Sequence, residues 1–206
     1  MPRVRVHQHV NPFSPYYRQE PQPLDPAVFA NPSLPLHLDI GCARGRFILR
    51  MAEIEPEWNY LGVEIRKPLV TEANEIAAEQ EFGNLHYEFC NAMVWLDRVL
   101  EGIPTGLLQS VTIQFPDPWF KKKHAKRRMV NTELVETVIA RLADGGKIFV
   151  QTDIDFLADE MFALFRSATG VNEVKINENP FPVKTEREIS VEARGLPVYR
   201  TMFKKK

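Results

Sequence analysis

From residue 36 onward, short apolar runs alternate with amphipathic stretches, and this alternation restricts the fold more than any other property of the chain. The runs over 36–40, 59–65, 85–90, 110–115 and 147–153 read as strands. Between them, 46–56, 68–83, 93–102 and 131–146 read as helices, and a further helix follows over about 156–168. The stretch 68–83 opens on Pro68 and closes on Gly83, the asymmetry expected of a helix. Asn131 or Thr132 caps the next one, and Gly145–Gly146 ends it. Repeated strand–helix alternation argues an α/β sandwich on a mostly parallel sheet. Two late runs, 171–177 and 197–204, have no clear helix between them. They predict an antiparallel edge to a seven-stranded sheet.

Composition narrows the class. The 206 residues are 44% hydrophobic and 26% charged, enough to build a core without staples. Two cysteines, Cys42 and Cys90, make no secreted disulfide framework, which predicts a reducing, cytoplasmic setting and a packing role for both. No apolar run approaches the roughly 20 residues of a membrane span. The opening MPRVRVHQHV carries no signal-peptide core. Many of the 16 prolines fall before residue 36, in NPFSPYY, PQPLDP and NPSLPL. Residues 1–35 therefore read as an extended arm without its own core, and 36–206 as the folded domain. His7, His9, His37, His86 and His124 are too scattered for a metal site, and none is expected. Trp58 and Trp95 read as core residues, as does the stripe Phe156, Met161, Phe162 and Phe165.

Open α/β sheets bind ligands where their strands end. The first strand ends in Asp39-Ile40-Gly41-Cys42-Ala43-Arg44-Gly45. A dinucleotide fingerprint would need glycine at 43 and 46, where Ala43 and Arg46 stand, and there is no Gly-Lys-Ser/Thr of a phosphate loop. The turn keeps Gly41 and Gly45 for close backbone approach to a ligand. Glu64 ends the second strand, placed to accept both hydroxyls of a ribose.

The fourth strand runs into Phe115-Pro116-Asp117-Pro118-Trp119-Phe120, followed by KKKHAKRR. Two prolines fix the backbone around Asp117. Trp119 offers a stacking face, and Lys121, Lys122, Lys123, Lys126, Arg127 and Arg128 offer phosphate contacts. The formal net charge is only −1, so this concentration of charge, not the total, points to a polyanion. A rigid carboxylate, an aromatic plate and a polycation together suit a splayed-out RNA base.

The glycine turn resembles that of class I S-adenosylmethionine methyltransferases, with Ala43 in place of the middle glycine. Phe115 to Arg128 looks like the signature of tRNA (guanine-N7-)-methyltransferases of the single-subunit bacterial type. Thr152-Asp153, the T-x-x-E of Thr185 to Glu188, and Gly195 to Tyr199 match that family in order. The resemblance covers roughly residues 36 to 206 and implies a Rossmann-like class I methyltransferase fold. It implies S-adenosyl-L-methionine as cofactor, held by Asp39, Gly41, Gly45, Glu64, Asn91 and Asp117. It places substrate contacts at Lys121, Asp153, Thr185 and Glu188, with tRNA as partner and Lys122, Lys123, Lys126, Arg127 and Arg128 along its backbone. Relatives often carry Glu at position 39 and Asp at position 91. Neither a membrane nor an obligatory protein partner is implied, and the active form is a monomer or a homodimer.

Guanine N7 already exposes a lone pair, so attack on a sulfonium methyl needs no general base. Catalysis is then mostly alignment. Asp117 is the expected catalytic residue, its carboxylate compensating positive charge as it migrates to the base. Asp153 and Glu188 are the expected acceptors for guanine N1–H and the N2 amine. The competing readings are a small-molecule methyltransferase, which would not need the polycationic loop, and an RNA-binding protein or partner subunit without activity. Ala43 and Asn91 are the only residues that favour the latter.

Overall fold

A computed structural model describes residues 10–206. The opening MPRVRVHQHV, which carries no signal-peptide core, lies outside them but for Val10, and with it His7 and His9. The elements are β1 (Leu36–Ile40), α1 (Arg46–Ile54), β2 (Asn59–Glu64), α2 (Lys67–Glu79), β3 (Leu85–Phe89), α3 (Ala92–Leu100) and β4 (Leu108–Gln114). They continue as α4 (Thr132–Arg141), β5 (Lys147–Thr152), α5 (Asp155–Ser167), β6 (Val171–Val174), α6 (Glu186–Glu192) and β7 (Tyr199–Lys205).

The seven strands form one sheet in the order β3-β2-β1-β4-β5-β7-β6. Strands β1 to β5 are parallel. β7 runs antiparallel to both β5 and β6, so the reversed strand lies one place inside the edge. The chain winds outward from β1 to β3, then returns to start β4 on the other side of β1. Crossovers in opposite directions leave a crevice between the ends of β1 and β4.

Both faces of the sheet are covered, and every position of β1 and β2 is buried. On one face, α3, α4 and α5 pack through Leu96, Val99, Leu134, Val138, Met161 and Phe165 onto Leu38, Ile40, Val111 and Val150. On the other, α1 and α2 pack through Phe47, Ile48, Met51 and Ala73 onto Tyr60 and Tyr87. The far half of that second face is closed by the 175–185 loop and α6. Phe181 stands edge-on to Phe149 and to His37, with ring centroids 5.5 and 5.4 Å apart.

Three sequence expectations change. A helix, α6, does lie between the last two strands. Thr185 Oγ1 accepts from the Glu188 backbone N–H at 3.1 Å, so T-x-x-E here starts a helix. Phe156 is 36% exposed rather than core; its ring meets Phe120 at 5.9 Å and lies under the Arg128 guanidinium. The proline-rich segment contributes to the main core, with Leu24 and Phe29 buried. Leu24 N–H donates to Val99 O at 3.0 Å, and Ala30 N–H to Gly83 O at 2.7 Å. Trp58 and Trp95 pack half-buried against the two cores, and no described helix is long and apolar enough to cross a membrane.

Candidate active site

A cleft of about 1390 Å³ opens where β1, β2, β4 and β5 end. Asp39, Gly41, Glu64, Asn91, Asp117, Asp153 and Thr185, far apart in sequence, all line it.

The glycine turn is held in left-handed backbone at Gly41 (φ 79°), Ala43 (φ 53°) and Gly45 (φ 68°). Only Ala43 carries a Cβ there, at a cost of roughly 1–2 kcal/mol. Its N–H donates to Glu64 Oε2 at 3.0 Å, which ties the turn to the second strand. Gly45, the cap of α1, sits beneath the turn rather than in its wall.

Glu64 is almost fully buried, and its charge is compensated locally. Arg66 forks onto it, Nε to Oε1 at 2.8 Å and Nη2 to Oε2 at 2.9 Å, and adds its backbone N–H to Oε1 at 3.0 Å. Asp117 also contributes to holding the Arg66 guanidinium protonated. Arg66 was not among the residues singled out from sequence. Its only signal was a basic residue two places beyond a strand-end Glu.

Asp39 is buried beside it. Burial pushes its carboxyl up to about 6, against the pull of Thr112 and Gln114, with Glu64 adding to the rise. Thr112 Oγ1 donates to Asp39 Oδ1 at 2.6 Å. His37 Nε2 lies 3.1 Å from the same hydroxyl. Because Thr112 gives its proton to Asp39, the proton between Thr112 and His37 resides on Nε2. Burial lowers the His37 pKa to about 3, which keeps the ring neutral.

Asn91 precedes α3, and its Nδ2 donates to the Pro12 carbonyl at 2.9 Å. Val10 and Pro12 thereby become part of the cleft wall.

The Pro-Asp-Pro-Trp loop is bounded by two non-glycine residues in left-handed backbone, Phe115 (φ 50°) and Trp119 (φ 43°). Such strain persists only where the surroundings enforce it. Arg128 supplies the enforcement. Its Nε donates to Pro118 O at 2.9 Å and its Nη2 to Trp119 O at 3.3 Å, while Nη1 meets Glu160 Oε1 at 2.6 Å. Expected on an RNA backbone, Arg128 is instead a 13%-exposed clamp committed to the loop. Arg127 stacks on Trp119 with 5.0 Å between guanidinium and ring centre. Lys126 reaches over Phe13, and Lys121, Lys122 and Lys123 are exposed at the start of a 3-10 helix spanning Lys122–Arg127. Arg127 thus lines the cleft, while the four lysines flank it.

Asp153 is ion-paired with Arg187, and Thr185 caps α6. Glu188 departs from expectation. It is 0% exposed, lies outside the cleft wall and has both oxygens occupied. Gln151 Nε2 and Asn179 Nδ2 donate to Oε2 at 3.0 and 2.8 Å, and Arg200 Nη2 approaches Oε1 at 3.3 Å. A carboxylate so enclosed cannot also receive a base edge. No three His, Cys, Asp or Glu side chains converge as a metal site among the described residues.

Comparison with known proteins agrees with this geometry. The family model described as "Putative methyltransferase" matches residues 33–201. The tRNA (guanine-N(7)-)-methyltransferase of Trichormus variabilis is 51% identical over 210 aligned positions, covering 100% of this chain and 98% of its own. That of Synechococcus elongatus is 52% identical over 207, covering 98% and 97%. Among solved structures, the aminoglycoside resistance methyltransferase NpmB1 superimposes with a TM-score of 0.56 at 16% identity, over 88% of this chain and 90% of that one. Full-length identity of this order, on a Rossmann-like sheet whose switch-point cleft holds the signature loop, places the chain in the tRNA (guanine-N7-)-methyltransferase family.

Proposed function

We propose that this protein transfers a methyl group from S-adenosyl-L-methionine to N7 of a guanine in tRNA, giving 7-methylguanosine, and acts in the cytoplasm. The observation that carries the reading is the convergence of Asp39, Glu64 and Asp117 on one cleft whose rim bears exposed lysines. Such a cleft takes a small cationic nucleoside inside and a polyanion outside. The folded domain is 36–206 and 1–35 an arm, of which residues 10–35 lie against the domain.

The residues fit the methyl donor. Glu64 is the ribose acceptor, and Arg66 must yield part of its fork when the diol arrives. Asp39 faces the α-ammonium group, and Asn91, with its carbonyl oxygen, faces the adenine edge. Gly41 leaves room for close approach. The donor supplies an electrophilic methyl on a cationic sulfur. The nucleophile needs no deprotonation, so the protein's work is alignment and charge. Asp117, fixed between two prolines, stabilises the positive charge as it passes to the guanine ring. Asp153 accepts from the guanine N1–H or N2 amine once Arg187 turns aside, with Thr185 and Lys121 beside it. Lys122, Lys123, Lys126 and Arg127 hold the phosphates.

The test is incubation with unmodified tRNA and methyl-labelled donor, followed by nucleoside analysis. The expected product is 7-methylguanosine. Label on another position would overturn the N7 assignment, and no label with intact tRNA binding would make the chain an inactive RNA-binding protein.

A further inference from the structure

The structure contains a line of polar side chains of which the reaction as described uses only the last, Asp39. It runs across one sheet face from α6 to the cleft: Glu188, Gln151, Gln114, Asp39. Gln151 Nε2 donates to Glu188 Oε2 at 3.0 Å and to Gln114 Oε1 at 2.8 Å. Gln114 and Gln151 are paired in register on β4 and β5, so their side chains share a face. Gln114 lines the cleft, and its Nε2 is buried without a hydrogen-bond partner. It faces Asp39 closely enough to lower that carboxyl's pKa, without closing a full hydrogen bond.

The polarity of this line is dictated from its far end. An amide can present either nitrogen or oxygen, and the network decides which. Ionised Glu188 accepts only, and Arg200 and Asn179 hold it in place. Gln151 must therefore turn its NH2 toward Glu188. The second hydrogen of that NH2 then requires the oxygen of Gln114. Gln114 is left with its NH2 pointing away from Gln151. The arrangement is kept although Gln151 Oε1 has no partner of its own.

We propose that Gln114 is the donor that receives the α-carboxylate of the methyl donor, and that Glu188 is a positioning residue that sets Gln114's orientation through Gln151. The proposal rests on the methyl-donor reading above. An acceptor, Asp39, and an outward-facing amide donor, Gln114, stand side by side, as an α-amino-acid zwitterion requires: ammonium to the first, carboxylate to the second. Asp39 alone would repel the carboxylate. The assignment gives the buried, unpartnered Gln114 Nε2 an acceptor. It also explains why an acid carried by T-x-x-E is sealed away from substrate.

Two probes separate the amino-acid end from the nucleoside. S-adenosylhomocysteine carries the zwitterion, and 5′-methylthioadenosine lacks it. Equilibrium binding of each is measured by calorimetry for wild type, Gln114→Leu and Glu188→Gln. Gln114→Leu should weaken S-adenosylhomocysteine about tenfold or more, the scale of one hydrogen bond to a charged group, and leave methylthioadenosine within about twofold. Glu188→Gln should reproduce the pattern, because a neutral amide lets Gln151 and Gln114 turn over and present oxygen to the carboxylate. If Glu188→Gln does not fold, Gln114→Leu decides alone. Unchanged S-adenosylhomocysteine affinity, or parallel loss of both probes, would overturn the proposal. Wild type binding neither probe would instead sink the methyl-donor reading.

Discussion

The ring of Tyr87 occupies the space that a side chain at position 45 would need. Its hydroxyl donates to Gly45 O at 2.8 Å, and a Cβ built on Gly45 would lie 2.1 Å from its Cε1. β3 thus braces the turn between β1 and α1 from below. Gly45→Ala combines this overlap with a φ of 68°. It should cost about 2–4 kcal/mol of stability in urea unfolding, from overpacking and left-handed strain together. Adding Tyr87→Leu should recover part of the loss. Ala43→Gly has the opposite sign: with φ at 53°, removing the methyl should stabilise by about 1 kcal/mol.

Asp39 sets a pH dependence of stability. Its carboxyl is raised by burial from 3.8 to about 6. Below pH 4 it is protonated whether the chain is folded or not. Between about 4 and 6 the unfolded chain ionises first, so the folded protein binds more protons and loses stability as pH rises. Above 6 the full penalty is present, on the order of 2–3 kcal/mol. Asp39→Asn should therefore be more stable than wild type at pH 7 and equal to it well below the unfolded value of 3.8, while its affinity for S-adenosylhomocysteine collapses. Thermal unfolding of both proteins across this range gives the difference curve; a flat difference would show that Asp39 is not the titrating group.

Exposed Lys122, Lys123 and Lys126 should set the salt dependence of tRNA binding. Each phosphate contact releases condensed ions, contributing roughly 0.7–0.9 to the log–log slope. The triple alanine variant should flatten that slope by about 2 and leave S-adenosylhomocysteine binding as it was. Filter binding at several salt concentrations measures it, and an unchanged slope would mean the lysines only solvate this face.

Asp117→Asn keeps the side-chain size and both flanking prolines, so the loop should hold its shape. What is lost is negative charge where the transferred charge arrives. The fall should appear in single-turnover rate at saturating tRNA and donor, at least tenfold, or about 1.4 kcal/mol of barrier. A variant as fast as wild type would reduce Asp117 to a shaping role.

Much of this was legible from residue pattern, because β1 to β5 are covered on both faces and read as apolar runs, and α4 opens on Asn131, whose side chain accepts from Leu134 N–H. The acids at strand ends were legible for a related reason: Asp39 and Glu64 interrupt apolar strands where only a ligand site tolerates charge. α6 is hard to read in sequence because its seven residues, EREISVE, carry almost no apolar periodicity. Its only sign was the Thr185–Glu188 capping pair. Gln114 and Gln151 left a similar trace, lone amides in buried strands, but their partnership depends on strand register, which one strand does not encode. Arg128 reads as an RNA contact in sequence because its tie to Glu160, 32 residues away, is not encoded locally.

The place of β7 carries a consequence for how the chain is made. Among the described strands β6 pairs only with β7, and β7 is made after every other described element. Until then β5 presents an open edge and β6 has no neighbour to join. A nascent or truncated chain ending before Tyr199 holds five paired strands with an unprotected apolar margin along Ile148 and Val150, a template for association with other chains. Synthesis of β7, Tyr199–Lys205, closes the sheet and ends that exposure.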